Sequence, residues 1–385
     1  METRKPTASA TKASTTRVRK PPTSTSGLGR WNREMLNRLT IALKQDPEAD
    51  MVTLLTPAYS KKLQSLKKTD PLSSSNSAAG TAPRDHDIRA QLNGTDLSTV
   101  ICKPSAELEA LLREDLSLSE NLVNLLIDSE VLYSDGAGSV MVFKLNETLV
   151  AKTISERAAL TEHYSLKFLQ ENLPSFPAPR PHGLVCVGHF HLLFTTFIPG
   201  QDLEKRWPQL NRTQKQHIAD QLDALFSQLR SLPHPNSTPL GGVYGDGCKD
   251  RRRYLRASTK SIMNDEEFQD FIFSGPETAS ALYIKLLRDL LPKPEAKIVF
   301  THGDIRPANI IVQEGKDEKW LVTSVIDWEA SGFYPEYWEC IKAVNNLTPS
   351  DNTDWYQYLP DQLSSNGYPT HWLVDRLWDR SMVNS

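Results

Sequence analysis

At 385 residues and a formal net charge of −3, the chain has room for two or three ordinary domains and lacks the charge excess that would draw it to nucleic acid or an anionic membrane. No run approaches the roughly 18 uninterrupted apolar residues of a membrane span, the most apolar stretch, 184–198, being broken by His189 and His191. Cys102, Cys186, Cys248 and Cys340 are scattered without a CxxC pair, which argues against a zinc site or disulfide framework and for a reducing, cytoplasmic setting.

Residues 1–30 are Thr, Ser, Pro, Lys and Arg with little apolar to bury, so a disordered basic tail is expected. Such a tail suits either a mitochondrial presequence or contact with an anionic partner. Pro6, Pro21 and Pro22 oppose the amphipathic helix a presequence needs. Trp31, Met35, Leu39, Ala42 and Leu43 have helical spacing, and with a second helix over 51–66 they make residues 31–68 a helical N-terminal extension. Residues 69–104, rich in Ser, Gly and Pro, read as a flexible linker. Ser105 then caps a helix that opens the folded body.

From Val131 the hydrophobic period changes to that of strands: 131–133, 140–145 and 149–154, with turns at 135–139 and 146–147. A helix is expected over 156–172, then strands over 183–187 and 190–197, before Pro199 and Gly200 break the chain. Beyond them the pattern is helical over 212–231, 265–273 and 278–291. Together these predict an α+β, two-lobed fold. Residues 105–197 make a small antiparallel sheet with one helix, residues 198–385 make a mainly helical lobe, and a ligand is expected between them.

The chemistry concentrates in Thr301–Val312 and Ser324–Gly332. Asp304 stands five residues before Asn309, the apolar run Ile310–Val312 reads as a short strand, and a second run over 321–326 ends in Asp327. Oxygen ligands at the ends of two adjacent strands suit Mg²⁺, which completes its shell with substrate phosphates. Asn309 and Asp327 are therefore the candidate metal ligands. Asp304 is the candidate base that takes a proton from an attacking hydroxyl. Lys152 sits in a strand among apolar neighbours. It must either reach water on an edge face or find an anionic partner, and Glu162 on the following helix is able to pair with it and hold its ammonium over phosphates. Asp135–Ser139 is a two-glycine turn, an ordinary hairpin signal that would also let Ser139 offer a hydroxyl and amide to phosphate.

HisGlyAspIleArgProAlaAsn at 302–309 with IleAspTrpGlu at 326–329 resembles the aminoglycoside phosphotransferase family, in particular its fungal kinase-like members of unassigned substrate. The likeness spans about residues 130–347 and takes in Lys152, Glu162, the break at 198–200 and Tyr337–Glu339. It implies a protein-kinase-like fold, ATP and Mg²⁺, and transfer of the γ-phosphoryl group to a small-molecule hydroxyl. It implies Asp304 as base, Asn309 and Asp327 as metal ligands, Lys152 as the phosphate-contacting lysine with Glu162 or Glu156 as its partner, and adenine contacts near Thr195, Thr196 and Phe197. Protein kinases carry Arg after the catalytic-loop His, an AspPheGly motif and a long activation segment. Here Gly303 follows His302, AspTrpGlu stands at 327–329 and helical sequence resumes by Tyr337, so a small-molecule acceptor is favoured over a protein.

The basic cluster Lys249, Arg251, Arg252, Arg253 and Arg256 reads as a solvated helix before an anion site. With no aromatic stripe beside it, it does not suggest nucleic-acid binding. The acidic residues a polycationic acceptor would want are Glu329, Glu336, Glu339, Asp351 and Asp354, mixed with aromatics and lysine, which argues against an antibiotic as the natural substrate. Tyr334, Tyr337 and Trp338 read as packing for the helical lobe. A catalytically idle kinase-like binding module is the competing reading, opposed by the retained Lys152, Asp304, Asn309 and Asp327.

Overall fold

Runs of β-branched and aromatic residues, punctuated by short polar turns, pair into an antiparallel sheet. The computed structural model describes residues 35–36, 39–44, 46, 87–135, 140–235, 237–251, 255–274, 279–293, 296–316 and 319–383. It divides the chain into two compact units, 1–82 and 83–385. In the first unit, residues 35–36 and 39–44 are helical, within the helix expected from Trp31. The basic tail, the expected helix over 51–66 and Ser139 lie outside the described residues.

In the second unit the strands are β1 (Ser98–Cys102), β2 (Glu130–Ser134), β3 (Met141–Lys144), β4 (Leu149–Ile154), β5 (Pro181–Val187) and β6 (Phe190–Thr196). They form one six-stranded sheet in the order β1-β5-β6-β4-β3-β2. Two short helices, α1 (Ala106–Glu109) and α2 (Leu118–Ile127), join β1 to β2. Helix α2 starts with a capping box between Ser117 and Glu120, which satisfies two otherwise orphaned amides. Leu122 and Leu126 on α2 pack with Phe143, Leu149, Ala151 and Phe194 from one face of the sheet.

β1 corrects the expected linker. Thr99, Val100 and Ile101 suit a pleated edge strand, and Ser98–Val100 pair antiparallel with Val185–Val187. Ordered structure therefore begins before residue 105. The isolated run between Gly and Pro carried too little periodicity to be distinguished from linker.

Helix α3 (Glu156–Asn172) joins the sheet to the rest. Its first half packs Ala159 against Ile154, Leu184 and Leu193 of the sheet. Its second half buries Leu166 and Leu169 in the core of the helical half with Phe300, Val325 and Trp328. Glu162, midway along, is thereby held between the two.

Beyond the Pro199 and Gly200 break come β7 (Gln201–Asp202), α4 (Leu203–Arg206) and α5 (Arg212–Arg230). Ile218, Leu222, Phe226 and Leu229 make the buried stripe of α5, each such side chain contributing about 1.5–3 kcal/mol relative to exposure. The chain continues through β8 (Lys249–Arg251), β9 (Leu255–Ala257), α6 (Asp265–Phe273), α7 (Ala281–Leu290) and β10 (Ile298–Thr301). It ends through β11 (Ile310–Glu314), β12 (Trp320–Val325), β13 (Gly332–Pro335), α8 (Trp338–Ala343) and α9 (Pro369–Val383). Strands β10 and β13 pair, and β12-β11-β7 form a small sheet. Tyr334, Tyr337 and Trp338 are buried with Phe268 and Trp378, the packing role expected of them. No described helix is long and apolar enough to cross a membrane.

The basic cluster departs from expectation, since Lys249 and Arg256 lie on the β8–β9 hairpin and not on a helix. Lys249 is buried in an ion pair with Asp246, and the half-buried Arg256 pairs with Asp250, while Arg252 and Arg253 lie outside the described residues. Asp246 and Asp250, close by in sequence, supply the counter-charges, because a charge enters a core only when paired.

Candidate functional site

The β11–β12 hairpin and the turn before it supply one wall of the site. Ile310 pairs with Val325, and the Ile326 amide donates to the Asn309 carbonyl at 2.9 Å. That pairing sets Asn309 and Asp327 at the same end of the hairpin. Asn309 Nδ2 donates to the Asp304 carbonyl (2.8 Å) and to Asp304 Oδ2 (3.2 Å), so this candidate metal ligand adjoins the candidate base. Arg306 Nε lies 3.6 Å from Asp304 Oδ2.

His302 and Glu339 hold this turn. The Asp304 amide donates to His302 Nδ1 (3.2 Å), and His302 Nε2 lies 2.9 Å from the Ile326 carbonyl. The imidazole thus carries its proton on Nε2 and links the Asp304 loop to the strand end before Asp327. Glu339, 1% exposed, accepts from the amides of His302 (2.6 Å) and Gly303 (3.0 Å). Burial pushes its carboxyl above the usual range, against the opposing pull of these amides. Sequence reasoning placed Glu339 among acceptor carboxylates, whereas the structure turns it inward. The signal was its position on the first turn of a helix, where an inward face serves the neighbouring loop. Gly303 has φ +79, and a Cβ there would come 2.4 Å from the Ala330 carbonyl oxygen, so only glycine fits.

The other wall is β4 and α3. Lys152 Nζ donates to Glu162 Oε2 at 2.8 Å, touches Asp327 Oδ1 directly and lies 3.7 Å from Glu329 Oε2. Of the two carboxylates considered for its partner, the structure brings Glu162 to it. Ligand atoms of Glu162, Asp327 and Glu329 all lie within 4.8 Å of one another. One ammonium is thus shared among three carboxylates. Burial alone would lower the Lys152 ammonium, but Asp327 and Glu162 push it above its ordinary value. Burial likewise opposes the charge on Asp327, yet the Lys152 ammonium, with Arg306, holds it below the usual carboxylate range. Glu162 is pushed up by burial, which Lys152 offsets only in part. Asp327 also has φ +72, a left-handed backbone that costs a non-glycine residue on the order of 1–3 kcal/mol and gathers at functional sites.

Thr195, Thr196 and Phe197 lie where β6 leaves the sheet, Thr195 opposite Val150 and Thr196 opposite Leu149. The Thr196 amide donates to the Arg180 carbonyl (3.0 Å) and the Phe197 amide to the Thr148 carbonyl (2.7 Å). His182 Nε2 lies 3.1 Å from Thr196 Oγ1 and its Nδ1 lies 2.8 Å from Ser105 Oγ, a brace behind this segment.

No curated protein matches the chain. Among solved structures it is similar to the streptomycin-ATP complex of APH(2")-IIa, at 14% identity and a TM-score of 0.42 over 69% of this chain and 87% of that one. It is similar to APH(3'')-Id from Streptomyces rimosus ATCC10970, at 18% identity and a TM-score of 0.39 over 69% and 96%. A third is macrolide 2'-phosphotransferase MphH from Brachybacterium faecium, at 13% identity and a TM-score of 0.35 over 65% and 74%. Residues 129–373 match the family model described as the phosphotransferase enzyme family, APH, well over half of the 385 residues, and the chain belongs to that family.

Proposed function

We propose that the protein transfers the γ-phosphoryl group of ATP to a hydroxyl of a small molecule. The observation that carries this reading is the contact of Lys152 with both Glu162 and Asp327, facing the hydrogen-bonded pair Asp304 and Asn309. Glu162, Asp327 and Glu329 bring hard carboxylate oxygens within 4.8 Å of one another, a donor set that fits Mg²⁺. Asp327, Glu329 and the Oδ1 of Asn309, whose Nδ2 is turned to Asp304, are the residues that would hold it. When bound, Mg²⁺ neutralises charge on the phosphate oxygens.

Lys152, steadied by Glu162, binds phosphate oxygens. Asp304 accepts the proton of the acceptor hydroxyl as its oxygen bonds to the γ-phosphorus and the bond from that phosphorus to the β–γ bridging oxygen breaks, releasing ADP. The amides of Thr196 and Phe197 are already committed, so adenine would be contacted through other backbone groups at this end of β6.

An acceptor other than a polycation is supported by four of the five carboxylates named for one being engaged within the protein. Glu329 belongs to the Lys152 cluster, Glu339 holds the base loop, Asp351 caps Thr348 and Asp354 binds Lys215 and Trp207. Arg306 adds a positive charge beside Asp304. A protein acceptor is disfavoured because β13 begins at Gly332, leaving residues 328–331 between it and Asp327.

Calorimetry with Mg²⁺ and ATP, followed by a phosphorylation screen of a metabolite pool, tests this reading. Wild type should bind Mg·ATP and label a small molecule, while Asp304→Ala keeps binding and loses roughly 10²- to 10⁴-fold in rate. Absence of nucleotide binding to wild type would favour the idle module, and full turnover by Asp304→Ala would remove Asp304 as base.

A further inference from the structure

Beside the Lys152 contacts, α3 is fastened to the helical half at a second point. Thr161, adjacent to Glu162 and fully buried, has its Oγ1 2.5 Å from Asp246 Oδ2 and in contact with Lys249 Nζ. Lys249 also pairs with Asp246, their side chains being 4% and 8% exposed. One turn on, Tyr164 stacks on Tyr244 with ring centroids 4.4 Å apart and planes 9° from parallel. A further turn on, Phe168 stacks on Phe300. Residues 161, 164 and 168 follow helical spacing, so one face of α3 is seated along this surface.

The segment that receives them is itself tied to β13. Gly241 and Phe333 exchange backbone hydrogen bonds of 2.8 and 2.9 Å, and the Lys249 amide donates to Tyr334 Oη at 3.1 Å. Gly242 lets the Asp246 carboxylate approach, since a Cβ at 242 would fall 2.0 Å from Asp246 Oδ1. Two ionic links therefore join α3 to the chain around Asp327. Lys152 joins Glu162 to Asp327 itself, and Asp246 with Lys249 joins Thr161 to the strand that begins five residues later.

A buried ion pair is seldom retained for net stability, because desolvating two charges offsets most of their attraction. We infer that Asp246, Lys249 and Thr161 are positioning residues that hold α3 so that Glu162 stays against Lys152 when nucleotide competes for that ammonium. The inference rests on the proposed nucleotide reading. If Lys152 turns to phosphate and Asp327 to a cation, their mutual contact is lost, and the second link keeps α3 in register without taking part in the chemistry.

The test uses the full chain and the double variant Asp246→Leu/Lys249→Met, which removes both charges so that neither is left buried alone. Its thermal midpoint should stay near that of wild type. Hydrogen exchange at the amides of α3 should accelerate in the nucleotide-free protein, and Mg·ATP should bind roughly tenfold more weakly, toward the lower end of usual coupling between sites. Unchanged α3 exchange and an unchanged Kd would overturn the inference. If the double variant does not fold, Thr161→Val, which removes one hydroxyl, is measured the same way: faster α3 exchange supports the positioning role, and wild-type exchange with a wild-type Kd refutes it. Should wild type itself not bind Mg·ATP, the nucleotide reading fails, and α3 exchange in the free variants still decides whether this link sets the helix.

Discussion

Replacing Lys152 with methionine removes the ammonium shared by Glu162, Asp327 and Glu329 while keeping most of the apolar stem. Breaking a buried pair by deleting one partner typically costs about 3–5 kcal/mol. Here two strongly buried carboxylates and the partly shielded Asp327 lose their counter-charge together, so the upper part of that range applies at alkaline pH. For a folded unit of this size each kcal/mol lowers the melting temperature by about 2–4 °C, which predicts a fall of roughly 8–15 °C at pH 8.

The deficit should shrink on acidification. In wild type Asp327 is held below its ordinary value, so its contribution is present above the unfolded pKa and lost as pH falls. Glu162 is raised and acts in the opposite sense, its contribution declining as pH rises past the ordinary glutamate value. Without Lys152 both carboxyls rise, the native state binds more protons than the unfolded state, and stability then falls with increasing pH. Differential scanning calorimetry of both proteins from pH 5 to 8 measures this. Added Mg²⁺ should recover part of the loss, about 2.7 kcal/mol at a hundred times its Kd. A deficit below about 2 °C at pH 8, or one equal at pH 5 and pH 8, would refute the shared-ammonium account.

Glu339→Ala leaves the amides of His302 and Gly303 without their acceptor. It should destabilise the protein by about 2–4 kcal/mol in denaturant titration and lower turnover more than Mg·ATP affinity, because the loop it holds carries Asp304. Gly303→Ala forces a Cβ against the Ala330 carbonyl, and steady-state kinetics should show a fall in kcat of about tenfold or more from the displaced base. A Gly303→Ala enzyme with wild-type kcat would mean that the loop tolerates the clash without moving Asp304.

The site motif was readable because its chemistry is local. Asp304 and Asn309 are five residues apart on one turn, and Asp327 ends the strand that pairs with the next, so a hairpin brings all three together. Lys152 and Glu162 required an inference across the sheet, but a lone lysine in an apolar strand must have an anionic partner if it is enclosed. Glu339 was harder to place, since the amides it accepts from lie 36 and 37 positions away and its place in the first turn of a helix is the only local sign. The edge strand β1 was taken for linker because its partner β5 lies some 85 residues downstream.

By itself the sequence determined the α+β alternation, the strands β2 to β6, the helices α3, α5 and α6, and the residues of the phosphotransfer motif. Those follow from hydrophobic periodicity and turn chemistry, which act over a few residues. The tertiary structure decided which charges are enclosed and with whom: Glu329 joined to the Lys152 cluster, Glu339 turned to the Asp304 loop, Lys249 buried against Asp246. Charge burial depends on the summed desolvation and pairing of groups distant in sequence, and only the assembled fold sets those distances.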